Sequence, residues 1–585
     1  MQFRSLPLAA VVLAASIVAG CRDRHTPVPD ASVFPPKVVT ARAGASIPAG
    51  TPYVPPQCYT RTQDADGRVH NPCFTCHADA APPNYVADGS LQLSYDFGPA
   101  SRVNPWTNLF VDRTAAVAAI SDDEILAYVR QDNYRALPAR LVATTTWDED
   151  GDGRWSGWLP DVGFELDDEG FDHARDGTYT GWRAYAYLPL PGGFWPTNGS
   201  FGDAFIRLPP PFREDRPGHF DRRVYATNLA ILESLVARRD VAIEPTDEHA
   251  IGVDLDGDGA LGEAHVVRFR WKPGSNTNAM RWAGMAGAAQ REGKVHLTAG
   301  LFPEGTELAH SLRYLDVEDG RTRMAPRMKE LRYMTKTSHL SYGRLEDQAM
   351  REAAEKETSP NKTRTILGSS ERGIQNGAGW RLQAFIEDAA GALRPQTLEE
   401  HAFCIGCHSG VGVTDDSVFS FGRKLGGEHA RRGWFHPTQR DLSGVGELAR
   451  ADGHGEYSFY LAKNGAGDEL RANDELSTRF FDAKGVLRPE MAARLRTDVS
   501  ALLLPSAGRA LVLDKAYRTI VREQSFTRGR DATVTPAANV HHELPEGEPL
   551  ATGVVEPLAE RRRAVRKKSV AHSPSAARRP PAEKP

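Results

Sequence analysis

Cys73-Phe74-Thr75-Cys76-His77 and Cys404-Ile405-Gly406-Cys407-His408 repeat one pattern, C-x-x-C-H, at two places in the chain. Two thiols three positions apart can form thioethers with the two vinyl groups of one porphyrin. The adjacent imidazole then takes the iron from the proximal side, which makes the string an attachment site for a c-type haem. Other chemistries of paired cysteine fit less well. A four-cysteine zinc site sets its pairs about 15–20 residues apart, and these lie more than three hundred apart. A thioredoxin-like redox pair has no use for the histidine, and structural disulfides leave His77 and His408 unexplained. With six cysteines in all, the chain has too few for a disulfide scaffold of its length. Cys58 reads as a small buried thiol.

On these residues the chain resembles the di-haem c-type cytochromes. The resemblance implies haem bound covalently by Cys73, Cys76, Cys404 and Cys407, with His77 and His408 as axial iron ligands and two haem c as cofactors. Small cytochromes of this kind carry a methionine some tens of residues after the motif, whereas here no methionine stands between Met1 and Met280. The sixth ligand of the first iron must then be His173, His219, a more distant residue or nothing, since His70 is too close to Cys73 to reach round the ring. For the second iron the candidates are Met324, Met328, Met334, His310, His339, His429, His436, His454 and Met491. The Met328–His339 segment and His436, beside Trp434 and Phe435, are the foremost of them. Haem iron with two protein ligands passes electrons, and a methionine ligand raises its potential; with one ligand it is open to small molecules. Di-haem peroxidases and related oxygenases, the rival resemblance, also join two such motifs in an exported chain. In them one iron stays open, and tryptophans such as Trp106 or Trp380 could relay electrons.

Two further strings suit a hard cation. Asp148-Glu-Asp150-Gly-Asp152-Gly153 and Asp254-Leu-Asp256-Gly-Asp258-Gly259 both read D-x-D-x-D-G. Oxygen ligands at alternate positions, with glycine for the sharp turn, are what a calcium loop needs. Neither is a complete EF-hand, because position 12 is Leu159 or His265; Asp161 and Glu263 are available to stand in. The alternative is an acidic surface turn. The second loop runs into His265–Trp271, whose alternation predicts a strand, so the ion would pin a turn rather than catalyse.

The elements that must hold these groups are uneven. Arg4, the apolar run Leu6–Gly20 and Val18-Ala19-Gly20-Cys21 form a bacterial lipoprotein signal, with Cys21 as the lipidated residue. Eight prolines from Pro27 to Pro56 predict a stiff tether. Ser121 with Glu124 marks a helix start before an apolar stripe. Short strand-like runs such as Tyr185–Leu188 and Phe205–Leu208 occupy 141–272, with one clear helix near Asn228–Arg238. From 273 to 400 the pattern reads as helical and charged, notably Arg344–Glu357 and Arg381–Asp388, and Pro489–Val521 reads as helix, loop, helix. From about 530 an Ala, Pro, Glu and Arg-rich stretch with the cluster Arg561–Lys568 predicts a solvated tail.

The expected fold is α+β, with mainly helical haem-binding regions at both ends of a β-containing, calcium-loop-bearing middle. The expected segments are a signal (1–21), a tether (22–56), a first haem region (57–140), a β-rich region (141–272), a helical region (273–400), a second haem region (401–529) and a tail (530–585). With 71 basic and 76 acidic residues the net charge is −5, which excludes a surface built to grip nucleic acid. The expected function is electron transfer by an exported, lipid-anchored di-haem protein of the cell envelope, facing the periplasm or exterior. It would bind structural calcium and hand single electrons to a redox protein or small-molecule acceptor. A di-haem peroxidase-like or oxygenase-like enzyme is the alternative.

Overall fold

Asp319 and Gly320 both take left-handed backbone, with φ of +51° and +73°. That pair of positive φ closes a two-residue hairpin whose twist matches its strands, and here it joins the two longest strands of the protein. The computed structural model describes residues 46–47, 53–63, 69–70, 75–77, 82–83, 99–144, 146–191, 198–273, 280–359, 362–419, 421–426, 429–450, 452–465 and 473–545. Cys21, Cys73 and the basic cluster Arg561–Lys568 lie outside them.

Twelve strands form one antiparallel sheet. In chain order they are β1 (Ser46–Ile47), β2 (Glu165–Leu166), β3 (Phe171–His173), β4 (Tyr179–Ala184), β5 (Phe201–Gly202) and β6 (Phe205–Arg207). There follow β7 (Glu307–Glu318), β8 (Arg321–Lys336), β9 (Ile366–Ser369), β10 (Gly373–Gln375), β11 (Trp380–Glu387) and β12 (Leu393–Pro395). Their spatial order is β1-β9-β10-β11-β8-β7-β6-β4-β3-β2, with β12 on β11 and β5 on β7. The expectation of helical haem regions flanking a modest β middle is therefore corrected: the organising element is a sheet, and 273–400 supplies its centre. Arg381–Asp388, read as helix, falls on strand β11; Arg344–Glu357, also read as helix, lies within the helix Tyr342–Thr358.

The error has a physical cause. Charged residues on β8 are buried, each against a partner across the fold. Arg327 meets Glu387 at 2.5 Å, Glu330 meets Arg530 at 2.8 Å, and Lys336 meets Asp416 at 2.6 Å. Burying a charge is tolerated only when it is paired, and such pairs erase the polar–apolar alternation by which a strand is recognised.

Thr40–Pro585 forms one unit, and its sheet takes strands from both sides of the boundary drawn at 272. The ends of that unit are more ordered than the tether and tail expectations. Ser46–Ile47 pairs with Ile366–Leu367. Thr60 bridges Val540 and Val103 bridges Glu543, while Ala532, Val540 and Leu544 are buried. The folded body thus reaches residue 545, beyond the boundary at 530.

Three helices bear on the placement of the second cysteine–histidine motif. α1 (Arg222–Ala237) is capped by Asp221, which accepts from the Arg223 and Val224 amides, and is buried along most of its length. α2 (Leu398–Ala402) opens with a full capping box of Thr397 and Glu400. α3 (Ile405–His408) carries the motif itself. The Ser121 cap also forms, onto Glu124 N. The run 205–208 is strand at Phe205–Arg207, and the strand expected at 265–271 ends at Val267.

Candidate functional site

His310, Arg332 and Ala384 stand side by side on β7, β8 and β11. Directly opposite residues of an antiparallel pair share one face, so this row, with the neighbouring row Leu308, Met334 and Leu382, forms a floor. Above it lies a cavity of about 340 Å³, within the range of a small-molecule or cofactor site. The second motif also borders it: Cys404, Cys407 and His408 all line it.

The motif is set on the sheet by the residues just before it. The buried His401 accepts the Ala384 amide at Nε2 (2.8 Å), and its Nδ1 meets the Thr397 carbonyl at 3.0 Å. Both ring nitrogens are used, and α2 is thereby fixed to β11. Cys404 follows three residues later, over the floor. On the other side, Gly406 packs against the Tyr53 carbonyl and Pro55, with no room for a side chain.

His408 is oriented by a turn. Its Nδ1 donates to the Ser417 carbonyl at 2.7 Å, which puts the ring proton on Nδ1 and leaves the Nε2 lone pair for a metal. Burial holds the ring at about pKa 4, hence neutral. Asp416 and Ser417 both have positive φ, +51° and +64°, at a cost of about 1–2 kcal/mol per residue. The cost is offset by mutual backbone bonds between Asp415 and Val418. Asp416 is further held by Lys336 at 2.6 and 2.8 Å and by the Phe302 amide at 3.0 Å.

Cys404 and Cys407 are in no disulfide among the described residues. Burial raises the Cys404 thiol and pushes Cys407 up to about 11. These are neutral thiols, whereas a dithiol built for exchange lowers the pKa of its attacking sulfur. Tested against a covalently held haem, the second motif fits: unbridged thiols and a tautomer-fixed imidazole border a cavity whose floor presents a second imidazole. Of the first motif, Cys76 and His77 are described and half-buried. The carbonyl of Cys76 accepts the Val413 amide at 3.0 Å, so the two motifs are neighbours. Arg238, at the end of α1, ties both surroundings together, bonding the Pro82 carbonyl and Asp415.

Most of the candidate sixth ligands are committed elsewhere. His436 is buried with Nε2 on Asp203 (2.9 Å) and Nδ1 on Thr438 (2.7 Å). His339 stacks on His296, His454 faces Asp452, and His219 pairs with Asp215. His173 contacts the Glu165 carbonyl. Met328 packs among Tyr134, Leu331 and Phe385 on the other face of the sheet, and Met324 and Met491 pack in a separate core. Of those residues His310 and Met334 line the cavity. Trp106 lines it too, donating Nε1 to the Val54 carbonyl at 2.9 Å.

The aspartate loops each gather a carboxylate from outside. Asp148 and Asp150 join Glu371, and Asp254 and Asp256 join Glu248; in each group the ligand oxygens lie within 4.8 Å of one another. Asp152 and Asp258 instead cap local turns, onto the Arg154 and Ala260 amides. Asp161 is engaged by Trp182 and Arg207. Glu371 is more than two hundred residues from its loop, and Glu248 stands six residues before its own, outside the D-x-D-x-D-G pattern.

Comparison with known proteins gives a different placement from the one the motifs suggested. A family of lipoproteins has a model that matches residues 44–499. An uncharacterized lipoprotein of Aquifex aeolicus (strain VF5) is 32% identical over 547 residues, covering 82% of this chain and 85% of its own. No solved structure matches. Among the described residues, no helix is long and apolar enough to cross a membrane. The resemblance to di-haem c-type cytochromes is corrected as a family placement, both by this match and by the sheet-centred fold. The chain belongs to a family of lipoproteins, anchored by lipid in the cell envelope.

Proposed function

We propose that this lipoprotein carries electrons in the cell envelope on two covalently attached haems, one at Cys73, Cys76 and His77 and one at Cys404, Cys407 and His408. The observation that carries the reading is the second motif: two unbridged thiols and an imidazole with its Nδ1 proton fixed, all bordering one cavity. Haem so held supplies a one-electron couple whose potential is tuned by axial ligands, burial and hydrogen bonds. The protein's own part is to orient His408 through Ser417, to shield the site with Tyr53, Pro55 and Trp106, and to hold the first motif beside it through Val413. Cys21 is the proposed lipidation site, and the electron partner is a redox protein or small molecule on the periplasmic or outer face. Asp148, Asp150 and Glu371, and Glu248, Asp254 and Asp256, are the proposed calcium sites, the first fastening its loop to a distant segment and the second to the short helix just before it.

A redox enzyme with one open iron is the second reading, favoured by the size of the cavity. Intact-mass measurement and a pyridine haemochrome assay on mature protein from its native host test the proposal. Two covalent haems per chain are expected; a colourless protein of bare polypeptide mass overturns it.

A further inference from the structure

We propose that His310 is the second axial imidazole of the site, facing His408 across the cavity and filling the remaining iron position of the haem held by Cys404 and Cys407. The inference rests on the haem reading and goes beyond it, because it selects the electron carrier over the open-iron enzyme.

The cavity floor presents His310 from the middle of β7, where it is paired with Arg332 on β8. A ring on a central strand of a twelve-stranded sheet is rigidly placed, as an axial ligand must be. Its Nδ1 is buried and has no hydrogen-bond partner among the described residues. An unmet buried donor or acceptor costs about 1–3 kcal/mol, and a nitrogen left so in a cofactor-sized cavity is explained if something else takes up the ring. His310 and His408 line this same cavity, and Arg332, paired with His310 across the strands, lines it too.

The rivals on the cavity wall are weaker. Met334, one cross-strand row away, packs within the apolar core formed by Leu308, Trp380 and Leu382. The Lys329 ammonium is tied to the Gly199 carbonyl. His401, behind the motif, has both nitrogens bonded.

The test uses the full mature chain with its haems, as wild type and as His310→Ala and His310→Met. Haem is counted by pyridine haemochrome, fold is checked by circular dichroism, and spin state is read by electron paramagnetic resonance and the Soret band. The expected result is two covalent haems in all three proteins, with the second haem low-spin in the wild type. In His310→Ala half the signal becomes high-spin, and added imidazole restores it. In His310→Met the second haem stays low-spin and its potential rises. If His310→Ala fails to fold, His310→Met decides alone through its potential. Two haems with unchanged spin state and potential in both variants overturn the assignment of His310. A wild type whose second haem is already high-spin overturns it in favour of the open-iron enzyme. Absence of covalent haem from the wild type sinks the haem reading itself, an outcome distinct from either.

Discussion

The amide of Val413 donates to the carbonyl of Cys76 at 3.0 Å, and this bond joins two motifs more than three hundred residues apart in sequence. Val413 stands five positions beyond His408, so the strings that the sequence presents as two independent sites share one wall of the fold.

The thiols of the second motif are expected to act together. Replacing both Cys404 and Cys407 by alanine should lower the covalent haem count from two to one, and the Soret absorbance by about half. The first site should remain, because its attachment depends on Cys73 and Cys76. A haemochrome assay that still finds two haems shows that the second site binds none covalently.

Gly406 is a steric test of the cavity entrance. A Cβ there would press on the Tyr53 carbonyl and lie 3.2 Å from the Pro55 ring. Gly406→Ala should cost roughly 1–3 kcal/mol of stability, as overpacking does, and displace the 53–57 segment from the motif. Hydrogen exchange of the Cys58 amide, which bonds the Pro55 carbonyl at 3.0 Å, reads the displacement; unchanged protection would show that the segment is not seated on the glycine.

Asp514 sets a pH dependence. Burial raises its carboxyl to about 8, opposed in part by Lys329. A raised carboxyl is protonated in the folded state while the unfolded chain ionises near the ordinary value of 3.8. Its contribution to stability is fully present below that value and is lost as pH rises toward 8. Asp514→Asn keeps an acceptor for the Leu315 amide, so it should gain roughly 1–3 kcal/mol at neutral pH and flatten the melting-temperature curve between pH 4 and 8. An equal slope in wild type and variant excludes Asp514 as its source.

Chelation probes the two acidic clusters. If calcium sits at Asp148, Asp150 and Glu371 and at Glu248, Asp254 and Asp256, then EGTA should lower the melting temperature and added calcium restore it. A ligand at a hundred times its Kd stabilises by about 2.7 kcal/mol. Glu371→Gln and Glu248→Gln should each remove part of the shift, and the double variant all of it. A melt indifferent to EGTA would reduce both loops to hydrogen-bonded turns.

The chemistry was more legible than the scaffold. Both cysteine–histidine strings and both aspartate loops stand in contiguous sequence, whereas Glu371 is brought to its loop by tertiary structure alone and Glu248, six residues before its loop, lies outside the pattern. His310 was one candidate among several, and what sets it apart, its place on the cavity floor in the row with Arg332 and Ala384, is visible only in the tertiary structure. The hairpin of β7 and β8 carries a local signal in Asp319-Gly320. That signal is masked because Arg313, Arg327, Lys329 and Glu330 are polar and buried together, so hydrophobic periodicity points to a charged helix. At the head of the expected tail, Arg530 looks solvated by type, yet it meets Glu330 on the cavity wall.

That salt bridge and the bridge between Thr60 and Val540 make the chain's far end a clasp for its near end. The Arg61 amide bonds Asn539, and the His541 amide bonds Tyr59, so the strip bearing Tyr53, Pro55 and Pro56 is buttoned down by residues almost five hundred positions away. A protein shortened at 529, innocuous if those residues were mere trailing solvent-borne chain, would loosen the opposite terminus and leave the cavity's doorway ajar.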